Sequence, residues 1–374
     1  MKKTHPRGST CRCYIIPPQI LEHMANHGDP RLRAAGQSTL RATQALRTQR
    51  ALLAGAQVRR PARTGGLRRT VYDARQTDRL PGHLVRGEGG KVTNDAAADE
   101  AYDSAGDTYK FYDQILGRKS VDGHGLRLDS SVHYREDPDE PFDNAFWNGE
   151  QMVYGDGDEV VFTRFTRSLD VIAHELTHGV TQYEADLEYH NQSGALNESM
   201  SDVFGIMVKQ WKLGQTVAKA DWLIGKELML IPGQALRNMK APGTAYDNAD
   251  LGKDPQPDRM SKYLKLADTR KGDWGGVHVN SGIPNRAFYL SCVNLGDAHS
   301  WDRAGKIWYR MLTSRLTSTS NFADAAHASV SVAAELYDAA AALAVKSAWQ
   351  EVEVLPRPHA VAVVSAMAVA TATP

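Results

Sequence analysis

The run at residues 170–202, DVIAHELTHGVTQYEADLEYHNQSGALNESMSD, decides how the rest of the chain is read. It contains His174-Glu175-Leu176-Thr177-His178. Residues four apart share a face of an α-helix, so this spacing sets two imidazoles side by side with a carboxylate next to them. Two imidazoles, one carboxylate and an open position for water suit zinc. The flanking Val171, Ile172, Ala173, Leu176 and Val180 are apolar, and polar groups in such surroundings are costly without partners. A third ligand must come from further along. Glu198 is the leading candidate, on a second helical pattern at residues 194–211, one short loop away. Asp202 lies four residues beyond it and shares its face. Two carboxylates so close repel unless a cation lies between them. Asp202 could also accept the second ring N–H of a ligand histidine. A lone match of this kind also arises on an exposed polar helix face; the apolar flanks and Glu198 set this one apart.

The chain has 374 residues, enough for two ordinary domains. Hydrophobic content of 42%, charged content of 24% and a formal net charge of zero describe an ordinary globular protein with no bulk electrostatic pull on a partner. Residues 31–69 are rich in arginine and poor in acids. No aromatic residues interleave those arginines, so the stretch is read as a solvated, protease-sensitive linker and no nucleic-acid partner is expected. No apolar run reaches the roughly 18 residues of a membrane span, and residues 1–18 hold no apolar run of signal-peptide length. Three cysteines, Cys11, Cys13 and Cys292, make no disulfide framework.

The coarse pattern is α+β. Pro17-Pro18 precedes a short helix, a Gly28-Asp29-Pro30 turn and a second helix, and Ala, Gly, Arg and Pro take over at residues 49–66. Short strand signals follow at residues 70–93 and 123–159. Between them, residues 95–117 are amphipathic, with Ala98, Tyr102, Ala105, Tyr109, Tyr112 and Leu116 at helical spacing. Helices dominate from residue 168, where Ser168 or Asp170 could cap the first of them. Residues 277–295, 300–316 and 322–349 read as three further helices, after a loop-rich region at 212–276. The expected organisation is a short N-terminal propeptide and linker at 1–60, a strand-rich lobe at 61–168, a helical lobe at 169–354 and a low-complexity tail at 355–374.

His174-Glu-Leu-Thr-His178 followed by GALNESMSD at residues 194–202 resembles the thermolysin family of zinc metalloendopeptidases. The resemblance continues in NAFWNG from Asn144, MVYGDGD from Met152 and GGVHVNSG from Gly275. It spans roughly residues 95–350, and the short region with Ile16-Pro17-Pro18 resembles the compact propeptide of the protealysin-like branch. It implies a two-lobed fold with the active site in the cleft between lobes. It implies zinc held by His174, His178 and Glu198, with Glu175 as general base and His278 and Tyr189 at the oxyanion. Asp273 would orient His278, Asp202 would support His174, and Asn197 would support His178. Asn144, the Ala145 backbone and Arg237 would hold a peptide substrate. Phe162, Phe165, Val171, Ile224, Leu228 and Leu236 would line an apolar pocket, implying cleavage on the amino side of bulky hydrophobic residues. Phe162 and Leu228 read equally well as plain core.

One departure concerns calcium. Asp170 and Asp221 match two carboxylates of the family's double calcium site, but two other carboxylate positions are Lys209 and Lys226. Calcium needs about six to eight oxygen ligands, so two calcium ions are not expected, and salt bridges from the lysines to Asp170 and Asp221 are. The full chain reads as a latent precursor whose Pro17-Pro18 segment blocks the cleft, cut between residues 51 and 70. Ligation of zinc by Cys13 is the lesser reading. A monomer acting on peptides or proteins is expected. The resemblance points outside the cell, with a cytoplasmic precursor as the alternative in the absence of a visible signal peptide. Two other classes stay open: a catalytically silent zinc-binding interaction protein, and a zinc aminopeptidase, which would need an acidic amine-binding motif upstream of His174.

Overall fold

A computed structural model describes residues 14–53 and 66–357. Cys11, Cys13, residues 54–65 of the arginine-rich stretch and most of the tail lie outside them; residues 31–53 of that stretch are helical rather than linker, with Leu32, Ala35 and Ala42 buried.

The N-terminal segment forms α1 (Pro18–Ala25) and α2 (Pro30–Leu53), separated at Gly28-Asp29. Pro18 opens α1, where its missing N–H costs nothing and its fixed φ suits a first turn. A five-stranded mixed sheet follows, built from β1 (Arg69–Thr77), β2 (His83–Gly87), β3 (Leu128–Tyr134), β4 (Ala145–Trp147) and β5 (Met152–Tyr154) in the order β2-β1-β3-β5-β4. β1, β3 and β5 run parallel, while β2 and β4 run antiparallel to their neighbours. β4 is therefore an edge, with backbone groups left for something other than the sheet. The long crossover from β2 to β3 is α3 (Ala96–Leu116). Asp95 caps it by accepting from the N–H of Ala97 and Ala98, and Gly117 ends it at φ 66°. Ala98, Tyr102, Ala105, Tyr109 and Tyr112 are its buried stripe.

The helical part holds α4 (Leu169–Tyr183), α5 (Asn191–Leu213), α6 (Asp273–Asn280), α7 (Gly282–Leu295), α8 (Arg303–Ser314), α9 (Phe322–Leu336) and α10 (Ala339–Glu351). Between α5 and α6, β6 (Leu223–Ile224) pairs with β7 (Arg237–Asn238), setting Ile224 opposite Arg237. Three sequence expectations are corrected here. Residues 277–295 divide into α6 and α7 at Ser281, whose backbone stays helical, while the positive φ of Trp274, Gly275 and Gly276 lies further upstream, at the start of α6. Residues 322–349 are two helices, because Asp338 turns its carboxylate onto the Ala341 N–H and starts α10 afresh. Ser168 stands at the N-cap of α4 but makes no cap bond; its hydroxyl donates to Asp170 instead.

α4 and α5 form the centre. Both are buried along most of their length. Their approach depends on Gly205, where a Cβ would stand 2.6 Å from the Asp170 carbonyl oxygen and 3.3 Å from the His174 backbone nitrogen.

Candidate active site

His174 and His178 project from the middle of α4 and Glu198 from α5, all three fully buried. Their donor atoms lie within 4.8 Å of one another. The two Nε2 atoms are 3.0 Å apart, and Glu198 reaches each imidazole at 3.5 Å.

Hydrogen bonds fix the tautomers. His174 Nδ1–H donates to Asp202 Oδ1 at 2.8 Å. His178 Nδ1–H donates to Asn197 Oδ1 at 2.8 Å, while the Asn197 amide donates to the Leu187 carbonyl, which sets the orientation of that side chain. Both Nε2 atoms are thereby left as acceptors facing each other. Burial, followed by the neighbouring His174, pushes the His178 pKa well below its ordinary value and keeps it neutral, the form a metal needs. Glu198 Oε2 accepts no hydrogen bond among the described residues. Two opposed lone pairs and an unsatisfied buried carboxylate oxygen are costly as they stand. One tetrahedral cation answers all three, and two His with one Glu is a donor set zinc takes when it keeps a position open.

Glu175, the next residue on α4, accepts the Trp147 N–H at 3.0 Å from the end of edge strand β4. On the other side, Tyr189 donates its hydroxyl to Glu198 Oε1 and lies 3.1 Å from His278 Nε2. His278 Nδ1–H donates to Asp273 Oδ1 at 2.6 Å, and the second Asp273 oxygen takes the His278 backbone N–H. Burial opposes a charge on His278, but Asp273 and Glu198 outweigh it and raise its pKa.

Asp202 has a cation of its own. Arg237, fully buried, donates to both its oxygens at 2.7 and 2.8 Å. Burial raises the Asp202 pKa, and Arg237 with His174 more than reverses this, so it stays ionised. The sequence argument for a cation between Glu198 and Asp202 is corrected accordingly: Arg237 neutralises Asp202, and the metal argument rests on the imidazoles and Glu198. Asn285 on α7 donates to Asp202 Oδ2 at 2.8 Å, and Ser201 Oγ lies 3.0 Å from His178 Nδ1. Neither was singled out from the sequence. Asn285 stands 83 residues from Asp202 and carries no local signal.

The cleft beside these groups is filled by the chain's own N-terminal segment. The Ile15 N–H meets the Ala145 carbonyl at 3.4 Å, on edge strand β4. Arg237 Nη1 donates to the Ile15 carbonyl at 3.1 Å, and the Ile16 N–H donates to Asn144 Oδ1 at 3.2 Å. His278 Nε2–H donates to the Tyr14 carbonyl at 2.8 Å. Residues 14–16 make these bonds, and Pro17 and Pro18, buried directly after them, lead the chain into α1. Phe162, Phe165, Val171, Ile224, Leu228 and Leu236 are all buried in the cluster that also contains Ile15.

One turn before His174, Asp170 meets Lys209 at 3.2 Å, and Lys209 meets Glu227 at 2.9 Å. Lys226 meets Asp221 at 3.1 Å on the surface. Glu227 is a partner the sequence reading missed.

A fold of a mixed sheet against helices, with an H-E-x-x-H helix facing a glutamate across a buried cluster, defines a metallohydrolase. Thermolysin metallopeptidase models match most of the chain, the catalytic domain at residues 33–182 and the alpha-helical domain at residues 185–354. An extracellular metalloprotease of Pectobacterium carotovorum subsp. carotovorum is 49% identical over 345 residues, covering 91% of this chain and 96% of the relative. Protease PrtS of a Photorhabdus species is 42% identical over 344 residues, covering 90% and 91%. The solved precursor of protealysin, a metalloproteinase from Serratia proteamaculans, superposes with a TM-score of 0.81 at 45% identity, covering 92% of this chain and all of that one. The chain belongs to the thermolysin metallopeptidase family, with the protealysin precursor among its structural neighbours, and is a metalloendopeptidase.

Proposed function

We propose that this metalloendopeptidase cuts on the amino side of bulky hydrophobic residues, with zinc on His174, His178 and Glu198, and that the full chain is its latent precursor. The convergence of three buried donor atoms beside Glu175 carries the reading. Zinc bound there would lower the pKa of the attacking water and polarise the scissile carbonyl. Glu175 takes a proton from that water and delivers it to the leaving nitrogen. His278 and Tyr189 donate to the developing oxyanion, each donor contributing about 3 kcal/mol. Asp273 keeps His278 protonated and aimed. Asp202 and Asn197 hold the two imidazoles in the metal-binding tautomer. Asn144, the Ala145 carbonyl and Arg237 hold the substrate backbone, with Phe162, Phe165, Val171, Ile224 and Leu236 receiving the side chain after the cut.

Latency is supported by residues 14–16 lying on those same groups. The propeptide and linker would be residues 1–60, followed by lobes at 61–168 and 169–354 and a tail at 355–374. Lys209 and Lys226 take the place of calcium charge. The enzyme acts outside the cell, as the name of its Pectobacterium relative states for that protein.

The test uses N-terminally blocked peptides. Intact full chain, verified by mass, should leave them uncut. Processed chain should cut before Leu, Ile or Phe, lose activity to a chelator and regain it with zinc. Full activity in intact chain would refute latency, and activity resistant to chelation would refute the metal reading.

A further inference from the structure

Four backbone contacts fix the register of residues 14–16 in the cleft. The carbonyl that His278 polarises belongs to Tyr14. The N–H facing the edge strand and the carbonyl held by Arg237 belong to Ile15. The N–H held by Asn144 belongs to Ile16. If His278 marks the carbonyl under attack, the bond in the reacting position is Tyr14–Ile15. The residue after that bond is aliphatic and fully buried, in the same apolar cluster as Val171, Ile224 and Leu236. The sequence suits this register. Prolines have no N–H, and Pro17-Pro18 begins immediately after the last backbone donor the cleft uses.

We propose that Tyr14–Ile15 is a bond this enzyme hydrolyses in its own chain, once and within one molecule, before the linker is cut. The proposal rests on the peptidase reading of the site. Water oxygen adds to the Tyr14 carbonyl carbon while Glu175 accepts a water proton and His278 holds the carbonyl oxygen. The Tyr14–Ile15 C–N bond then breaks, and Glu175 returns the proton to the Ile15 nitrogen. One water is consumed, leaving a Tyr14 carboxylate on the released fragment and an amine on Ile15. The fragment, residues 1–14, carries Cys11 and Cys13 away. The remainder keeps the Arg237 and Asn144 contacts and the packing of α1 and α2, so the trimmed chain stays blocked until residues further on are cut.

The experiment starts from metal-free full chain. Amide hydrogen exchange reads the docking without catalysis: the Ile15 and Ile16 amides should be protected, and Ile15→Asp should speed their exchange tenfold or more. Zinc is then added and the intact mass and N-terminal sequence are followed. The expected product begins at Ile15 and forms at a rate per molecule that is unchanged over a tenfold range of protein concentration. It does not form in Glu175→Gln. Ile16→Pro, which removes one N–H and keeps the site apolar, should slow it at least tenfold, and it covers the case in which Ile15→Asp folds poorly. Unprotected Ile15 and Ile16 amides would overturn the docking. A chain that keeps its first 14 residues, although its processed form cuts blocked peptides, would overturn the self-cleavage alone. A rate proportional to concentration would overturn the intramolecular step. Failure of both self-cleavage and peptide cutting would overturn the peptidase reading beneath it.

Discussion

Two charged clusters lie between α4 and α5, one helical turn apart, and they are neutralised in different ways. At Asp170 the chain supplies its own cation: Lys209 reaches Asp170 and Glu227, and the Gly225 N–H takes a further Asp170 lone pair at 3.1 Å. Burial opposes the Lys209 charge, but Asp170 and Glu227 raise its pKa and hold it protonated. At His174 and His178 no side chain among the described residues plays that part. Their Nδ1 partners have made both Nε2 atoms acceptors, and those atoms face each other 3.0 Å apart. A carboxylate can be satisfied by an ammonium. Two opposed imidazole lone pairs and a carboxylate call for a Lewis acid. Metal dependence should therefore be confined to one of two neighbouring clusters on the same pair of helices.

The largest expected effect tests the open cluster. Glu175→Gln in processed enzyme should lower kcat for a blocked peptide by up to about 10⁴-fold, with one zinc per chain still found by metal analysis. Loss of zinc along with activity would mean that Glu175 serves the metal site rather than the proton transfer. The closed cluster is probed by Lys209→Met, which leaves Asp170 buried without its cation. That should cost about 3–5 kcal/mol in urea unfolding, with zinc content unchanged. A loss below about 1 kcal/mol, the value of a surface pair, would remove Lys209 as the internal counter-charge. Asn197→Ala removes one acceptor from His178 while Ser201 Oγ stays 3.0 Å from the same nitrogen. Zinc affinity should fall about tenfold, the low end for such a partner, as measured by competition with a chromogenic chelator. The smallest effect is the sharpest contrast. Calcium should leave the melting temperature where it is, whereas a site filled at 100 times its Kd would add about 2.7 kcal/mol. An upward shift would reopen the closed cluster as a calcium site.

The order of these effects follows what each helix was given to hold. The H-E-x-x-H spacing reads directly because a helix converts a four-residue interval into adjacency without help from the rest of the chain. α3 reads as directly: Asp95 and Gly117 flank it, with a stripe of Ala and Tyr between. The breaks at Ser281 and before Asp338 were missed because the apolar spacing runs across both. Ser281 keeps a helical backbone between α6 and α7, and at the second break only the Asp338 cap starts a new helix. Arg237 was noticed as a substrate contact, yet its fork on Asp202 was not, because 35 positions separate the two, the rest of α5 followed by loop and short strand. Asn285 was invisible for the same reason. The N-terminal block was placed on Pro17-Pro18, since prolines stand out in a sequence. The groups that bond to the cleft are the backbone N–H and C=O of residues 14–16, which every residue type carries.

By itself the sequence determined the chemistry available to this protein. It put two imidazoles and a base on one helix face and a carboxylate on the next helix. Those are local facts, set by residue type and a 3.6-residue period. Tertiary structure decided which carboxylate takes Arg237 and which is left for a metal. It also decided that Lys209 closes one cluster while its neighbour stays open, and which peptide bond of the chain's own N-terminus lies across the active site. Those outcomes depend on hydrogen-bond partners brought together from distant segments, and no local spacing encodes them.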